Sequence, residues 1–306
     1  MLEELPEAIG ECTSLRALSL KGNQLRRLPD SFTKLQDLSI LHLNENLFLE
    51  VPQFLSKLNS LTSLYMESNR LDGLDPSIGK LSKLECLNVS QNNISSLPDE
   101  FANLVKLTQL FLSSNTFVEI PQLLTKLPSL SVLSLEGNEV ISIPAWISDL
   151  KNLKALGMDD NHVIYVDDAI GSLTELTALN LADNVLQILP FTISNLVNVK
   201  TMNVENNHLT GLPDCYAQLT KLQAIYLDDN DIVEIPSCIL QLTSLTELSL
   251  DCCQLQEIPT DLCALTMLKS LNLSRNYFTR LPEEFSNLVS LEHLGLEEIH
   301  LSEPPY

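Results

Sequence analysis

The chain has 306 residues, 44% of them hydrophobic, and carries 40 acidic against 18 basic side chains for a net charge of −22. That balance excludes a nucleic-acid binder, because phosphates must be neutralised by Lys and Arg. No apolar run reaches the roughly 18 residues needed to span a bilayer, so no stable membrane insertion is expected. The acidity is uneven: residues 1–153 hold 12 basic and 18 acidic residues, net −6, and residues 154–306 hold 6 and 22, net −16.

The chain opens part-way through a phrase, with Leu2, Leu5 and Pro6, and then repeats it. Taking Asn23 as a marker, steps of 23 reach Asn46, Asn69, Asn92, Asn115, Asn138, Asn161, Asn184, Asn207, Asn230, Cys253, Asn276 and Ile299. Eight, five and three residues before each marker the residue is always Leu, Ile, Met or Val, and two after it is Leu, Ile, Val or Phe. The last two of those positions have period two, which predicts a short strand such as Leu18–Leu20 in every unit. The marker Asn follows, with an amide able both to donate and to accept. Turned inward, it is expected to bond the backbone of its own and the next coil. A pair such as Leu28-Pro29 or Ile120-Pro121 then closes the strand side, since Pro supplies no N–H. Beyond it, Phe101, Leu104 and Leu107 typify a spacing that predicts a helical or 3₁₀ turn on the outer wall.

Departures occur in chain order. Asp75-Pro76 and Asp167-Asp168 displace the usual Pro, and their carboxylates are expected to cap the following turn. Cys253 is a tolerable small substitute for Asn, whereas Ile299 marks the end of the Asn ladder. The chain closes in mid-unit with "LSEPPY" at 301–306, and no polar cap is evident at either end. Solenoids need such caps, so 1–306 reads as a single domain of about thirteen repeats, a segment of a longer protein.

The unit L-x-x-L-x-L-x-x-N-x-L-x-x-L-P-x-x-I-x-x-L-x-x resembles the leucine-rich-repeat family across essentially the whole chain. Its wording is similar to the 23-residue intracellular Ras-group type, which includes Scribble- and Erbin-like scaffolds and plant Ras-group proteins. The resemblance implies an α/β solenoid, a horseshoe with a parallel β-sheet on the concave face and helical or 3₁₀ turns on the convex face. It also implies small GTPases or their signalling partners as candidate ligands.

No phosphate-cradling, nucleophile-elbow or zinc-protease motif is present, and the nine glycines are spread out. A non-catalytic protein without cofactor is therefore expected. Seven cysteines, odd in number and without a CxxC, point to reduced thiols in the cytoplasm. Cys215 and Cys238 share a register in adjacent units but read as thiols. Sequons at Asn88, Asn93 and Asn272 speak weakly for secretion.

Specificity should reside in the positions that vary. Strand residues between the buried leucines face the concave side, six, four, two and one before the marker. The two positions just before the thirteen markers hold 12 acidic residues in 26, against 40 in 306 for the whole chain. The excess concentrates from Glu136 through Asp159, Asp160, Asp183, Glu205, Asp228 and Asp229 to Asp251. Like charges side by side on a sheet are destabilising, so this row is expected to bind a basic partner. Tyr65, Phe111 and Tyr226, four before their markers, are candidate aromatic anchors, and Asn180, Asn203 and Asn272 candidate hydrogen-bonding groups. Asp228, Asp229 and Asp251 are also ligand types for calcium, although no spacing sets such a site. A second row, Lys34, Lys57, Lys80 and Lys126, runs along the convex turns. The expected function is a protein-binding scaffold or adaptor module. The alternative is the substrate-targeting or regulatory segment of a multidomain signalling enzyme such as a phosphatase, kinase, cyclase or GTPase.

Overall fold

A computed structural model describes residues 1–299; the closing "LSEPPY", with the final apolar position at Leu301, lies outside the described residues. The described chain divides into two compact units, 1–140 and 141 onward.

In the first unit the strands Ala17–Ser19, Ile40–His42, Ser63–Tyr65, Cys86–Asn88, Gln109–Phe111 and Val132–Ser134 pair in parallel. Every pairing is offset by one repeat, so Leu18, Leu41, Leu64, Leu87, Leu110 and Leu133 stack in one column. All but Leu18, at the open end, are fully buried. In the second unit Ala155–Gly157, Ala178–Asn180, Thr201–Asn203, Ala224–Tyr226, Glu247–Ser249, Ser270–Asn272 and His293–Gly295 do the same. Here Leu156, Leu179, Met202, Ile225, Leu248, Leu271 and Leu294 form the column. A minor parallel pair, Ser142–Ile143 with Tyr165–Val166, adds a second ladder after two of the turns.

The outer segments are 3₁₀ throughout, and the reason lies in the spacing. Apolar residues recur every third position, and three residues make one 3₁₀ turn. The N–H of Phe101 donates to Pro98 O, that of Leu104 to Phe101 O and that of Leu107 to Leu104 O, at 2.9–3.1 Å. All three apolar side chains are fully buried. An α-helix, at 3.6 residues per turn, would rotate the third of them away from the core. Pro precedes most of these segments in an extended conformation and contributes only its carbonyl, which accepts the first 3₁₀ bond. Where Pro is displaced, the expected caps form: Asp75 Oδ1 accepts from Ser77 N at 2.8 Å and Asp167 Oδ1 from Ala169 N at 2.9 Å. Successive outer segments also pack tightly. A Cβ built on Gly79 would lie 2.1 Å from Glu100 O, and one on Gly171 would lie 2.4 Å from Thr192 O.

The marker Asn column is buried and saturated. Asn115 Nδ2 donates to Val89 O at 3.1 Å, Leu112 O at 2.9 Å and Ser113 O at 3.2 Å, while its Oδ1 accepts from Ile94 N at 2.9 Å. Asn207 repeats the pattern with Leu181 O, Val204 O, Glu205 O and Leu186 N. The bonded neighbour is the preceding coil, not the next one, because the turn carries the amide back over the coil already laid down. Cys253 manages one weak contact, Sγ to Leu227 O at 3.5 Å. Its thiol cannot accept the Ile232 N–H as an amide oxygen would.

Two outcomes follow for urea unfolding monitored by circular dichroism. Asn115→Ala orphans buried carbonyls and a buried N–H and should lower stability by about 2–4 kcal/mol, each lost partner costing about 1–3 kcal/mol with partial relaxation. Cys253→Asn should raise it by about 1 kcal/mol, the net worth of an ordinary hydrogen bond. A neutral or stabilising Asn115→Ala would remove the ladder from its central place.

Candidate functional site

The side chains on the strand face come from the two ends of each three-residue strand and from the residue two before the marker. The residue one before the marker has left the strand. It is left-handed in every repeat, with φ between 49° and 70° at Gly22, Glu45, Ser68, Gln91, Ser114, Gly137, Asp160, Asp183, Asn206, Asp229, Cys252, Arg275 and Glu298. Gly accepts this conformation freely, and Asn and Asp tolerate it better than other residues. Part of the acidic excess therefore has a backbone cause: Asp160, Asp183 and Asp229 suit their turns.

In the first unit, Tyr65 is half-buried and its ring stacks on His42, centroids 4.4 Å apart and planes within 5°. Sequence reasoning missed His42. Its only signal was a position one repeat before Tyr65 in the same column. Tyr65 Oη lies 3.6 Å from Cys86 Sγ, and that contact together with burial raises the phenol above its ordinary value. Phe111 is half-buried beside Asn88 in the adjacent strand. Glu67 accepts from the amides of Asn44, at 3.2 Å, and Asn88. Glu136 accepts from the hydroxyls of Ser113, at 2.5 Å, and Ser134.

The second unit carries the longer acidic run. Asp159 Oδ1 accepts from Asn180 Nδ2 at 2.7 Å, and Asp183 Oδ1 from Asn206 Nδ2 at 2.5 Å. Asp228 Oδ1 accepts from Asp251 N at 2.6 Å. Burial raises the Asp228 carboxyl above the ordinary carboxylate value, against the lowering by Ser249 and the Asp251 N–H. Asp251 is clamped by Arg275 through two bonds of 2.8 and 2.7 Å, which hold its carboxyl below the usual range. Arg275 also lies 3.9 Å from Asp229. Tyr226 Oη donates to Glu247 at 2.5 Å, and this bond, then burial, pushes the phenol up to about 12. Glu247 and Arg275 complete the face, and neither was among the expected site residues.

The strand-face asparagines are largely committed inside the sheet. Asn180, Asn203 and Asn272 each use Oδ1 to accept the N–H two residues on, from Ala182, Glu205 and Ser274, at 3.0–3.2 Å. Asp160, Asp183 and Asp229 point their carboxylates into solvent, whereas Asp159, Glu205, Asp228 and Asp251 are partly covered. Among the described residues, no group of three His, Cys, Asp or Glu is placed to hold a metal ion. All seven cysteines are free, with the Cys238 thiol pushed up to about 11 and that of Cys253 to about 12 by burial.

With strand, Asn turn and 3₁₀ segment repeated at 23 residues, the class is defined, and comparison with known proteins agrees. A leucine-rich repeat region model matches residues 159–274, and leucine-rich repeat models match 13–71, 59–117 and 267–288. A leucine-rich-repeat protein of Leptospira interrogans superposes with a TM-score of 0.96 at 34% identity, over 99% of this chain and 78% of its own. An internalin of Listeria monocytogenes gives 0.86 at 25% identity, over 98% and 85%. The plant peptide hormone receptor RGFR1, in complex with RGF2, gives 0.80 at 31% identity, over 97% of this chain and 50% of that receptor. No curated protein matches the sequence. The chain belongs to the leucine-rich-repeat family, whose members are typically protein–protein interaction modules.

Asp228→Asn tests the strained carboxylate. Its raised folded-state value means that ionisation disfavours the fold above the ordinary 3.8. The Asn variant keeps the Oδ1 acceptor without the charge, so it should melt higher than the parent near pH 7. The gap should close as the pH falls below 3.8, where the parent is protonated in both states. Thermal melts across pH 3–8 measure this, and an equal gap at every pH would refute the assignment.

Proposed function

We propose that the chain is a non-catalytic protein-binding module whose acidic strand face in the second unit takes a basic partner surface. The observation that carries this reading is the run Asp159, Asp160, Asp183, Glu205, Asp228, Asp229 and Asp251, opposed in those columns, among the described residues of the second unit, by Arg275 alone. Intrasheet hydrogen bonds and left-handed turns account for the tolerance of individual members. They do not call for so many adjacent carboxylates, because neutral residues hold the position two before the marker in other repeats, as Asn44, Ser90, Ser113 and Ser274 do. A basic surface would relieve the mutual repulsion that neighbouring like charges impose, and Tyr226 offers an aromatic edge among them. The rigid sheet keeps the ordering cost of association low.

In the first unit, Tyr65, Phe111 and Glu136 are half-buried on the strand face and serve the same role there. The 23-residue unit keeps the Ras-group reading in view, with small GTPases or their signalling partners as candidates in a signalling scaffold. Free thiols support a cytoplasmic location. No helix of the described residues is long and apolar enough to cross a membrane.

The test is affinity capture from cytosol with the parent and with an Asp160→Lys, Asp183→Lys, Asp229→Lys variant, whose exposed side chains can be exchanged without unpacking the core. Captured proteins should be basic at the contact, should be lost from the variant, and should leave the parent as salt rises. Identical sets from parent and variant, with both folded by circular dichroism, would refute the strand-face site.

A further inference from the structure

The first unit holds a feature of opposite sign. On its 3₁₀ side, three successive coils line an open cleft of about 650 Å³. That is within the roughly 300–1,000 Å³ of ligand-binding clefts. Arg26 and Arg27 enter from the first coil, Lys57 from the second and Lys80 from the third. All four are exposed. Arg27 is paired with Glu4 at 2.6 Å. No ion pair is formed by Arg26, Lys57 or Lys80 among the described residues. Glu50 is the one carboxylate in the lining.

Such a gathering is at odds with the rest of the molecule. Lys80 interacts with Asp75, which also accepts from Gln53 of the lining at 3.0 Å, without closing an ion pair. In a chain with more than twice as many acidic as basic side chains, cations would be expected to pair with carboxylates. Lys34, in the same column one coil earlier, does so with Glu11 at 2.7 Å. Lys57 and Lys80 instead close their 3₁₀ segments, Gln53–Lys57 and Pro76–Lys80, beside a recess. Clefts focus the field of the charges that line them. The lining also holds apolar groups: Leu28, Pro52 and the half-buried ring of Phe54, whose centroid lies 6.4 Å from that of Phe32.

We propose that this cleft is a docking site for a short acidic peptide segment of another protein, its carboxylates set between Arg26, Lys57 and Lys80 and an apolar side chain seated on Phe54. Arg26 supplies a fork matched to a carboxylate, and the two lysines supply point charges that follow the ligand across adjacent coils. The length of the patch favours a peptide over a long polyanion. Outside residues 26–80 the chain carries 33 acidic against 12 basic side chains, a balance that would repel an extended nucleic acid or a broad anionic membrane.

The probe is a fluorescein-labelled octapeptide of glutamates with Leu and Phe at its centre, titrated by anisotropy into the whole chain at low ionic strength. Its counterpart with lysines in place of glutamates is the control. The parent should bind the acidic probe at least tenfold more tightly than does an Arg26→Gln, Lys57→Gln, Lys80→Gln variant, and the affinity should fall steeply with salt. Phe54→Ala should weaken the probe while leaving its salt dependence unchanged. All these positions are on the surface or half-buried, and thermal melting verifies the fold of each variant. The variants should retain whatever the strand face captures, so failure here is separable from failure of the strand-face proposal. Equal affinity of parent and triple variant would overturn the cleft as a site. So would preferential binding of the parent to vesicles containing phosphatidylserine, abolished in the triple variant, since the cleft would then be a lipid-headgroup site.

Discussion

A buried side-chain amide is what the structure of each unit depends on. A solenoid coil turns back on itself every 23 residues, and each turn leaves backbone carbonyls and N–H groups inside the stack, beyond the reach of water. At Asn115 the amide answers three acceptors and one donor, and the pattern recurs at Asn46, Asn138 and Asn207. It does so across two coils, so that one side chain both closes its own turn and fastens it to its predecessor. The leucine columns supply most of the free energy through burial, but they are non-directional and would allow coils to slide. The amide sets the register.

That register has functional consequences. Because each coil repeats the last with a 23-residue offset, residues of equal phase become neighbours on one surface. Carboxylates that are far apart in sequence, such as Asp228 and Asp251, come within one hydrogen bond of each other. In the first unit, lysines spaced by 23 come to line one recess beside the 3₁₀ segments. A chain of strongly negative net charge can thus present an acidic strand face in one unit and a basic cleft in the other, each written in its own column of the repeat.

Much of the candidate site was legible before any coordinates. Period-two leucines placed Asp159, Glu205, Asp228 and Asp251 beside the strands, and the caps at Asp75 and Asp167 could be read from a displaced Pro. Other features were not legible. The left-handed turn before each marker looks like further strand in sequence, because only Gly22 and Gly137 of the thirteen positions carry the glycine that signals a positive φ. The hydrogen bonds from Asn180 to Asp159 and from the Glu205 N–H to Asn203 turn apparent partner-binding groups into internal ones. The stacking of His42 on Tyr65 and the clamp of Arg275 on Asp251 depend on rotamers, which no pattern of residue types specifies.

The sequence by itself determined the repeat length, the buried columns, the buried Asn and the phase at which charges accumulate. Those properties follow from periodicity, and periodicity alone dictates which residues a coil buries. Only the tertiary structure decided that Asn bonds the preceding coil, and which carboxylates and cations remain unpaired. Each of these depends on distances between groups in adjacent coils, and such distances exist only once the coils have stacked.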